Sequence, residues 1–366
     1  MKFAGRLAVA AIAGVLSLAA CGTDNNGGST ASSSGSAAGG AKTINAAGSS
    51  AQANAIAEWK KGYQSAHSDV TINYQPSGSG AGVQAFIAGT VSFAGSDSAL
   101  DDAKGEPAQA NARCKTGNAI NLPMVVGPVA VVYNLPEVQD LQLKPATIAG
   151  IFSSKITKWD DPAIKADNPN AKLPSDAIQA FHRSDESGTS ANFTKFLQAT
   201  GGWPYEPAKA WPAEAGGQGS KGSDQVAASV KSTEYGIGYV ELSFATNSQL
   251  QTAKVANGSG EFVALSPESA SKTVEAAQVV GTGNDLKLKI DYATSAAGAY
   301  PIVLVTYEIT CEKGLPSDQA TLVKDFLTYT SSSQGQAALT SIGYAPIPDS
   351  LLTKVQTAVQ AITPAA

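Results

Sequence analysis

Three observations predict that this 366-residue chain folds as α/β structure in two domains. From Lys42 onward, segments alternating apolar and polar residues take turns with segments of helical periodicity, which favours layered helices and sheets. Twice the passage from strand to helix runs through a Gly/Ser-rich loop, the form of a βα unit. About 325 ordered residues exceed the usual size of one domain, and 43% hydrophobic residues suffice for substantial cores. Only 15% of residues are charged, with Ala, Gly and Ser abundant, as in an ordered secreted protein with many tight loops. No internal repeat is evident.

The first element is a secretory signal, residues 1–20. Basic Lys2 and Arg6 precede an apolar stretch from Leu7 to Ala20, too short for the roughly 20 apolar residues of a membrane span. Leu18-Ala19-Ala20-Cys21 resembles a bacterial lipobox. That implies a mature chain beginning at Cys21, its thiol lipidated (diacylglycerol, palmitate) and the protein held on the extracytoplasmic face of the cell membrane. The alternative is a cleaved soluble protein with Cys21 merely near the junction. Residues 21–41 are Gly/Ser/Ala/Asn-rich without periodicity and read as a flexible tether with a reach of about 25 Å. Losing Lys2 and Arg6 leaves 23 basic against 30 acidic residues, so the formal charge of −5 becomes −7. No basic stripe or aromatic–basic cluster is visible, which speaks against nucleic acid. An acidic protein that binds an anion must use local donors in a closed pocket, not its overall field.

Next come the two strand–loop–helix units. A strand pattern from Thr43 to Ala47 leads through Gly48-Ser49-Ser50-Ala51 into a helix with Ile56, Trp59 and Tyr63 on one face. An alternating strand, Val70 to Tyr74, leads through Gly78-Ser79-Gly80-Ala81-Gly82 to Val83, Phe86 and Ile87. The apolar runs Ile120 to Leu135 and Tyr300 to Ile309 are the stretches best suited to pass between domains. Between them, Gln179 to Arg183 reads as a strand, followed by Ser184-Asp185-Glu186-Ser187-Gly188-Thr189-Ser190 and a helical pattern from Ala191 to Leu197. A helix start leaves backbone N–H groups unpaired with positive partial charge, and guanidinium presents a fork of donors to anionic oxygens. One fixed cation, two hydroxyls and small residues therefore make an anion cradle. Each loop alone also reads as a plain βα turn or an N-capped surface loop. Parallel sheets nevertheless bring loops at the carboxyl ends of strands to one edge, where three such loops can meet one ligand.

Gly48 to Ala51, Tyr74-Gln75-Pro76-Ser77-Gly78-Ser79-Gly80, Phe93-Ala94-Gly95-Ser96-Asp97 and Arg183 to Ser190 resemble, in order and spacing, the ligand loops of the PstS family. These are the phosphate-binding proteins of ABC-type phosphate uptake. Ile151 to Pro162, Tyr235 to Glu241 and Gly343 to Pro348 are similar as well, so the resemblance covers nearly all of the mature chain. It implies a two-lobed periplasmic-binding-protein fold (type II, venus flytrap), each lobe a mixed sheet flanked by helices. Lobe I would comprise residues 42–129 and 303–366 and lobe II residues 130–302, with the cleft between them. Sequence patterns alone do not locate that boundary.

Carried over by position, the resemblance implies that inorganic phosphate is held by Ser50, the Ala51 N–H, Ser79, Asp97, Arg183, Ser187, the Gly188 N–H and Thr189. Ser50 stands where threonine is frequent and keeps the hydroxyl; Ala51 stands where phenylalanine is frequent, which opens the pocket wall. The implied partners are permease subunits of an ABC importer and the membrane through the lipid anchor. The implied protein is a monomer without cofactor, metal or catalytic residue.

Asp97 gives the implied selectivity a physical basis. Phosphate near neutral pH keeps at least one P–OH donor, which a carboxylate accepts; sulfate has none and would set lone pairs against the carboxylate in a desolvated site. On a strand, Arg183 and Asp185 share a face opposite His182, so Asp185 orients the guanidinium from behind; a surface ion pair is the alternative. With Cys21 lipidated, Cys114 and Cys311 remain. In an oxidising compartment they most simply pair, the alternative being two buried free thiols. His67 and His182 lie far apart with no metal-like spacing, and Gly217 to Ser223 only mimics a phosphate loop of nucleotide-binding proteins.

Other classes fit less well. A phosphatase would need a base beside Ser187, which His182 facing away does not supply. A surface adhesin would not explain convergent anion loops, and a sulfate or molybdate binder is opposed by Asp97.

Overall fold

Strand and helix alternate through the computed structural model, which describes residues 42–365. The signal segment 1–20, the tether 21–41 and the lipidation position Cys21 lie outside the described residues. In order the elements are β1 (Lys42–Gly48), α1 (Ala53–Ala66), β2 (Val70–Gln75), α2 (Ser79–Ile87), β3 (Phe93–Ser96), α3 (Glu106–Cys114) and β4 (Ala119–Tyr133). There follow β5 (Gln142–Leu143), α4 (Pro145–Phe152), α5 (Pro162–Asp167), β6 (Gln179–Arg183), α6 (Gly188–Thr200), β7 (Gln218–Ser220), α7 (Gly222–Ser232), β8 (Gly236–Glu241) and α8 (Leu242–Asn247). Short strands β9 (Gln251–Thr252), β10 (Lys254–Ala256) and β11 (Phe262–Val263), helix α9 (Pro267–Glu275), and strands β12 (Gln278–Val279) and β13 (Leu288–Lys289) lead to β14 (Val303–Cys311), β15 (Lys313–Leu315), α10 (Ser317–Thr330), α11 (Ser333–Thr340), α12 (Asp349–Gln360) and β16 (Thr363–Pro364).

Eight strands run side by side in the order β2-β1-β3-β14-β4-β8-β6-β7. Pairing is parallel for β2-β1-β3 and for β8-β6-β7, while β14 and β4 are antiparallel to their neighbours, so both halves are mixed. β4 joins them. Within its first ten residues, Ala119 to Pro128, all but Met124 pair with β14, and its last five, Val129 to Tyr133, pair with β8. Two prolines in a fully buried strand look wrong, because proline cannot donate to a ladder. Here they sit where the ladder is already irregular: Pro123 faces Tyr307 at the bulge that leaves Met124 unpaired, and Pro128 is the last residue before the partner changes.

The cores divide at the same place. Ile44, Trp59, Phe86, Phe93, Val125 and Phe326 belong to one cluster, which the C-terminal helices close. Beyond Pro128 alternate residues of β4 face opposite ways, as the strand period requires. Val129, Val131 and Tyr133 join Phe152, Phe193 and Tyr239, while Ala130 and Val132 join Phe181 and Val226 on the other face. Ala270, Val274 and Leu286 pack into the first core although they lie within 130–302, so packing assigns α9 and its neighbourhood differently from the sequence expectation. Ile56, Trp59 and Tyr63 are the buried face of α1 as their spacing requires.

Cys114 and Cys311 form a disulfide that ties the end of α3 to the end of β14 across 197 residues. Closing so long a loop restricts the unfolded chain. Reduction is expected to lower stability by about 2–5 kcal/mol, read as an earlier thermal unfolding transition with reductant; an unchanged transition would contradict this.

Candidate functional site

Every residue of the implied ligand set lies at or just beyond the carboxyl end of a parallel strand. Ser50 and Ala51 follow β1, Ser79 follows β2, Asp97 follows β3, and Arg183 ends β6 ahead of Ser187, Gly188 and Thr189. All eight are buried. Tight backbone passages allow the approach. Gly48 has φ +143°, and a Cβ there would lie 2.0 Å from the Gly95 carbonyl oxygen. At Gly188 a Cβ would lie 2.6 Å from both the Asp97 Cβ and the Ser79 hydroxyl, so only glycine admits the start of α6 to Asp97.

Ser79 is the first meeting point. Its hydroxyl accepts from the N–H groups of Asp97 (3.2 Å) and Gly188 (3.1 Å) and lies 3.2 Å from Asp97 Oδ2, which it reaches as donor. Thr306 on β14 donates to Asp97 Oδ1 at 2.8 Å, and Asn192 on α6 donates to the Asp97 carbonyl at 2.6 Å. Burial raises the Asp97 carboxyl above its ordinary range, offset in part by Ser49, Thr306, the Arg183 charge and Ser79.

Arg183 is the second. It is 1% exposed, which no arginine tolerates without partners. Nε donates to Asp185 Oδ1 at 2.7 Å and Nη2 to Asp185 Oδ2, the two-pronged pairing that planar guanidinium favours. Burial opposes the Arg183 charge, but Asp185, through its hydrogen bonds and its charge, leads the effects that more than restore it, and its pKa is raised. Burial likewise works against the Asp185 carboxylate and is outweighed by Arg183, which holds it below the usual range. Asp185 also accepts from the Gly222 N–H at 3.0 Å. The remaining guanidinium arm reaches Ser223 Oγ at 3.2 Å, and Ser223 Oγ lies 3.1 Å from Ser50 Oγ.

Ser187 caps α6, its hydroxyl accepting from the Ser190 N–H at 3.2 Å, so this hydroxyl is already engaged by the helix start. The Ala51 N–H is engaged by Ser49 Oγ at 3.0 Å. Thr189 Oγ1 lies 2.7 Å from Glu241 Oε1. Burial raises the Glu241 carboxyl, as does the Asp97 charge, while Thr189 and the Arg183 charge oppose the rise. Beside Asp97 opens a cavity of about 650 Å³ whose walls include Asn192, Lys195, Lys209, Lys287 and Tyr307.

Four participants were not among the expected residues: Ser223, Glu241, Thr306 and Asn192. Ser223 carried a signal. Gly217 to Ser223 is a fourth strand, Gly/Ser loop and helix start, β7 into α7, and fails only as a nucleotide loop. Glu241 and Thr306 are polar residues in otherwise apolar buried strands, a pattern that asks for a partner.

A family model for the PBP superfamily domain matches residues 32–334. Over 360 residues the chain is 42% identical to Phosphate-binding protein PstS 3 of Mycobacterium tuberculosis, spanning 96% of each chain. The chain belongs to the PstS family. It is also 38% identical over 373 residues to PstS 2 of Mycobacterium tuberculosis, covering 99% of this chain and 100% of that one. Among solved structures it resembles the periplasmic phosphate-binding protein PfluDING bound with phosphate, with TM-score 0.72, 22% identity and coverage of 86% and 93%. A putative phosphate ABC transporter substrate-binding protein of Clostridium perfringens matches with TM-score 0.62 at 17% identity, covering 84% and 100%. At those identities the two structures speak for the fold alone. This PstS chain has the two-lobed type II periplasmic-binding fold, the halves meeting along β4.

Proposed function

We propose that this protein is an extracytoplasmic binding protein that captures inorganic phosphate between its lobes and delivers it to the permease of an ABC importer. The observation that carries the reading is the convergence of Arg183 and Asp97, a buried cation and a buried carboxyl, among hydroxyl and N–H donors on one sheet edge. Phosphate is held by Ser50, the Ala51 N–H, Ser79, Asp97, Arg183, Ser187, the Gly188 N–H and Thr189, with Ser223 added. Residues 42–129 and 303–366 form one lobe, against which α9 and its neighbourhood pack, and the rest of 130–302 forms the other, hinged where β4 changes partners; ligand bridging them favours the closed form. Cys21 anchors the monomer to the membrane by lipid. The protein binds without catalysis: His182 stacks on Trp211 and its Nδ1 lies 2.9 Å from the Arg183 carbonyl oxygen, away from Ser187. Support for the reading comes also from the mycobacterial relatives, which are named as phosphate-binding proteins.

Asp185 tests the architecture around the cation. Asp185→Ala leaves Arg183 charged and able to meet the anion but poorly held, so phosphate affinity is expected to fall by about 10- to 100-fold, less than on loss of Arg183. Calorimetric titration of both variants checks the order; the reverse order would refute the roles.

A further inference from the structure

Glu241 brings a second carboxyl to the same spot. It ends β8 in register with Val129 and is completely buried. Its Oε1 lies 2.7 Å from Thr189 Oγ1, while Oε2 has no hydrogen-bond partner. The titratable and charged groups facing it are Asp97 after β3, Arg183 at the end of β6, and Tyr344 ahead of α12. An ionised Glu241 would keep one buried anionic oxygen unpaired. It would also draw the single hydrogen of the Thr189 hydroxyl to itself and set a second negative charge beside Asp97 where an anion is to bind. A neutral carboxyl leaves only an unpaired carbonyl oxygen, a much smaller penalty.

Resting on the phosphate reading above, we propose that Glu241 is a protonated positioning residue: it donates to Thr189 Oγ1, so that Thr189 turns its own hydrogen to the bound anion. Thr189 thus becomes a donor by virtue of the acid behind it, while Asp97 accepts from the ligand. Burial, and after it the Asp97 charge, raises the Glu241 carboxyl above its ordinary range, with Thr189 and Arg183 only partly offsetting this. The sign follows. A raised carboxyl is neutral on the acid side, so the donor chain is intact there and is lost as pH rises. Deprotonation reverses the chain, removing a donor from the ligand and adding a like charge. Binding an anion favours the neutral form further and therefore takes up a proton.

The test is calorimetric titration of phosphate into the parent protein and Glu241→Gln between about pH 6 and about pH 9. Both proteins meet the same phosphate species, so the ratio of their affinities cancels the ligand's own titration. The parent is expected to lose affinity relative to the variant as pH rises, by up to about tenfold per pH unit. A ratio constant with pH overturns the proposal, whereas a parent that binds no phosphate at any pH overturns the functional reading itself. Should Glu241→Gln not fold or not bind, carboxyl carbon NMR of glutamate-labelled parent and Thr189→Val decides. With phosphate present, one glutamate signal protonated at neutral pH is expected to move in Thr189→Val, and the absence of any such responsive signal refutes the assignment. Glu308, which burial raises to about 8, gives a comparable signal but lies beside Gln52, so it stays in place.

Discussion

Replacing Arg183 with alanine reduces phosphate affinity by at least about 100-fold and takes binding below detection in ordinary titrations. The size of the effect follows from what is left behind. Arg183 is the positive charge that acts on Asp97, Asp185 and Glu241 or is acted on by them. Truncation leaves three carboxyls and neutral dipoles facing an anion in a desolvated spot, where a charge-assisted hydrogen bond is worth roughly twice a neutral one. Asp185, shielded from water and deprived of its fork, also costs stability, so the variant should be checked for folding by circular dichroism before titration. A folded Arg183→Ala protein that binds phosphate within a few-fold of the parent would show that the anion sits elsewhere.

The second large effect concerns selectivity and not strength. Asp97→Asn is expected to shrink the preference for phosphate over sulfate by orders of magnitude, up to the factor of about 10⁴ that a site built around one donor–acceptor pair can enforce. Asp97 offers the ligand an acceptor and nothing else when ionised, and although burial raises its carboxyl, its hydrogen-bond donors and the Arg183 charge partly offset that. Thr306 donates to Oδ1, Ser79 reaches Oδ2 and Arg183 is in range, all opposing the burial that would neutralise it. An amide of the same shape presents N–H donors, removing the repulsion that sulfate meets while giving phosphate an acceptable neighbour. Competition titration with the two anions measures the change; equal sulfate exclusion by variant and parent would remove Asp97 from the selectivity mechanism.

Much of this is legible in the sequence. Strand alternation and helical spacing place β1, α1, β2 and α2, because in those units the buried face of each element is a simple periodic set such as Ile56, Trp59 and Tyr63. Alternation along the strand suggests that Arg183 and Asp185 share a side opposite His182, but a surface ion pair fits the sequence equally; β6 ends at Arg183, and the fork between the two is visible only in the structure. Gly217 to Ser223 is no nucleotide loop, but it shares the strand, Gly/Ser loop and helix start of the other ligand loops, and that likeness is the sequence signal for Ser223. Glu241 and Thr306 were not legible. Each is one polar residue at a strand position whose partner, Thr189 or Asp97, lies at least 52 residues away in sequence, and only the sheet order brings them together. The place of α9 in the first core is of the same kind, since its apolar face fits either half until packing decides.

The most direct test of the central claim, that these side chains clasp a protonated tetraoxyanion around Arg183, is calorimetry of the protein without its signal and lipid, titrated in parallel with phosphate, sulfate and a phosphate monoester. Phosphate is expected to saturate a single site per chain while sulfate and the ester give no measurable heat of binding at the same concentrations. Sulfate binding as tightly as phosphate, or release of phosphate from the ester, would contradict the account.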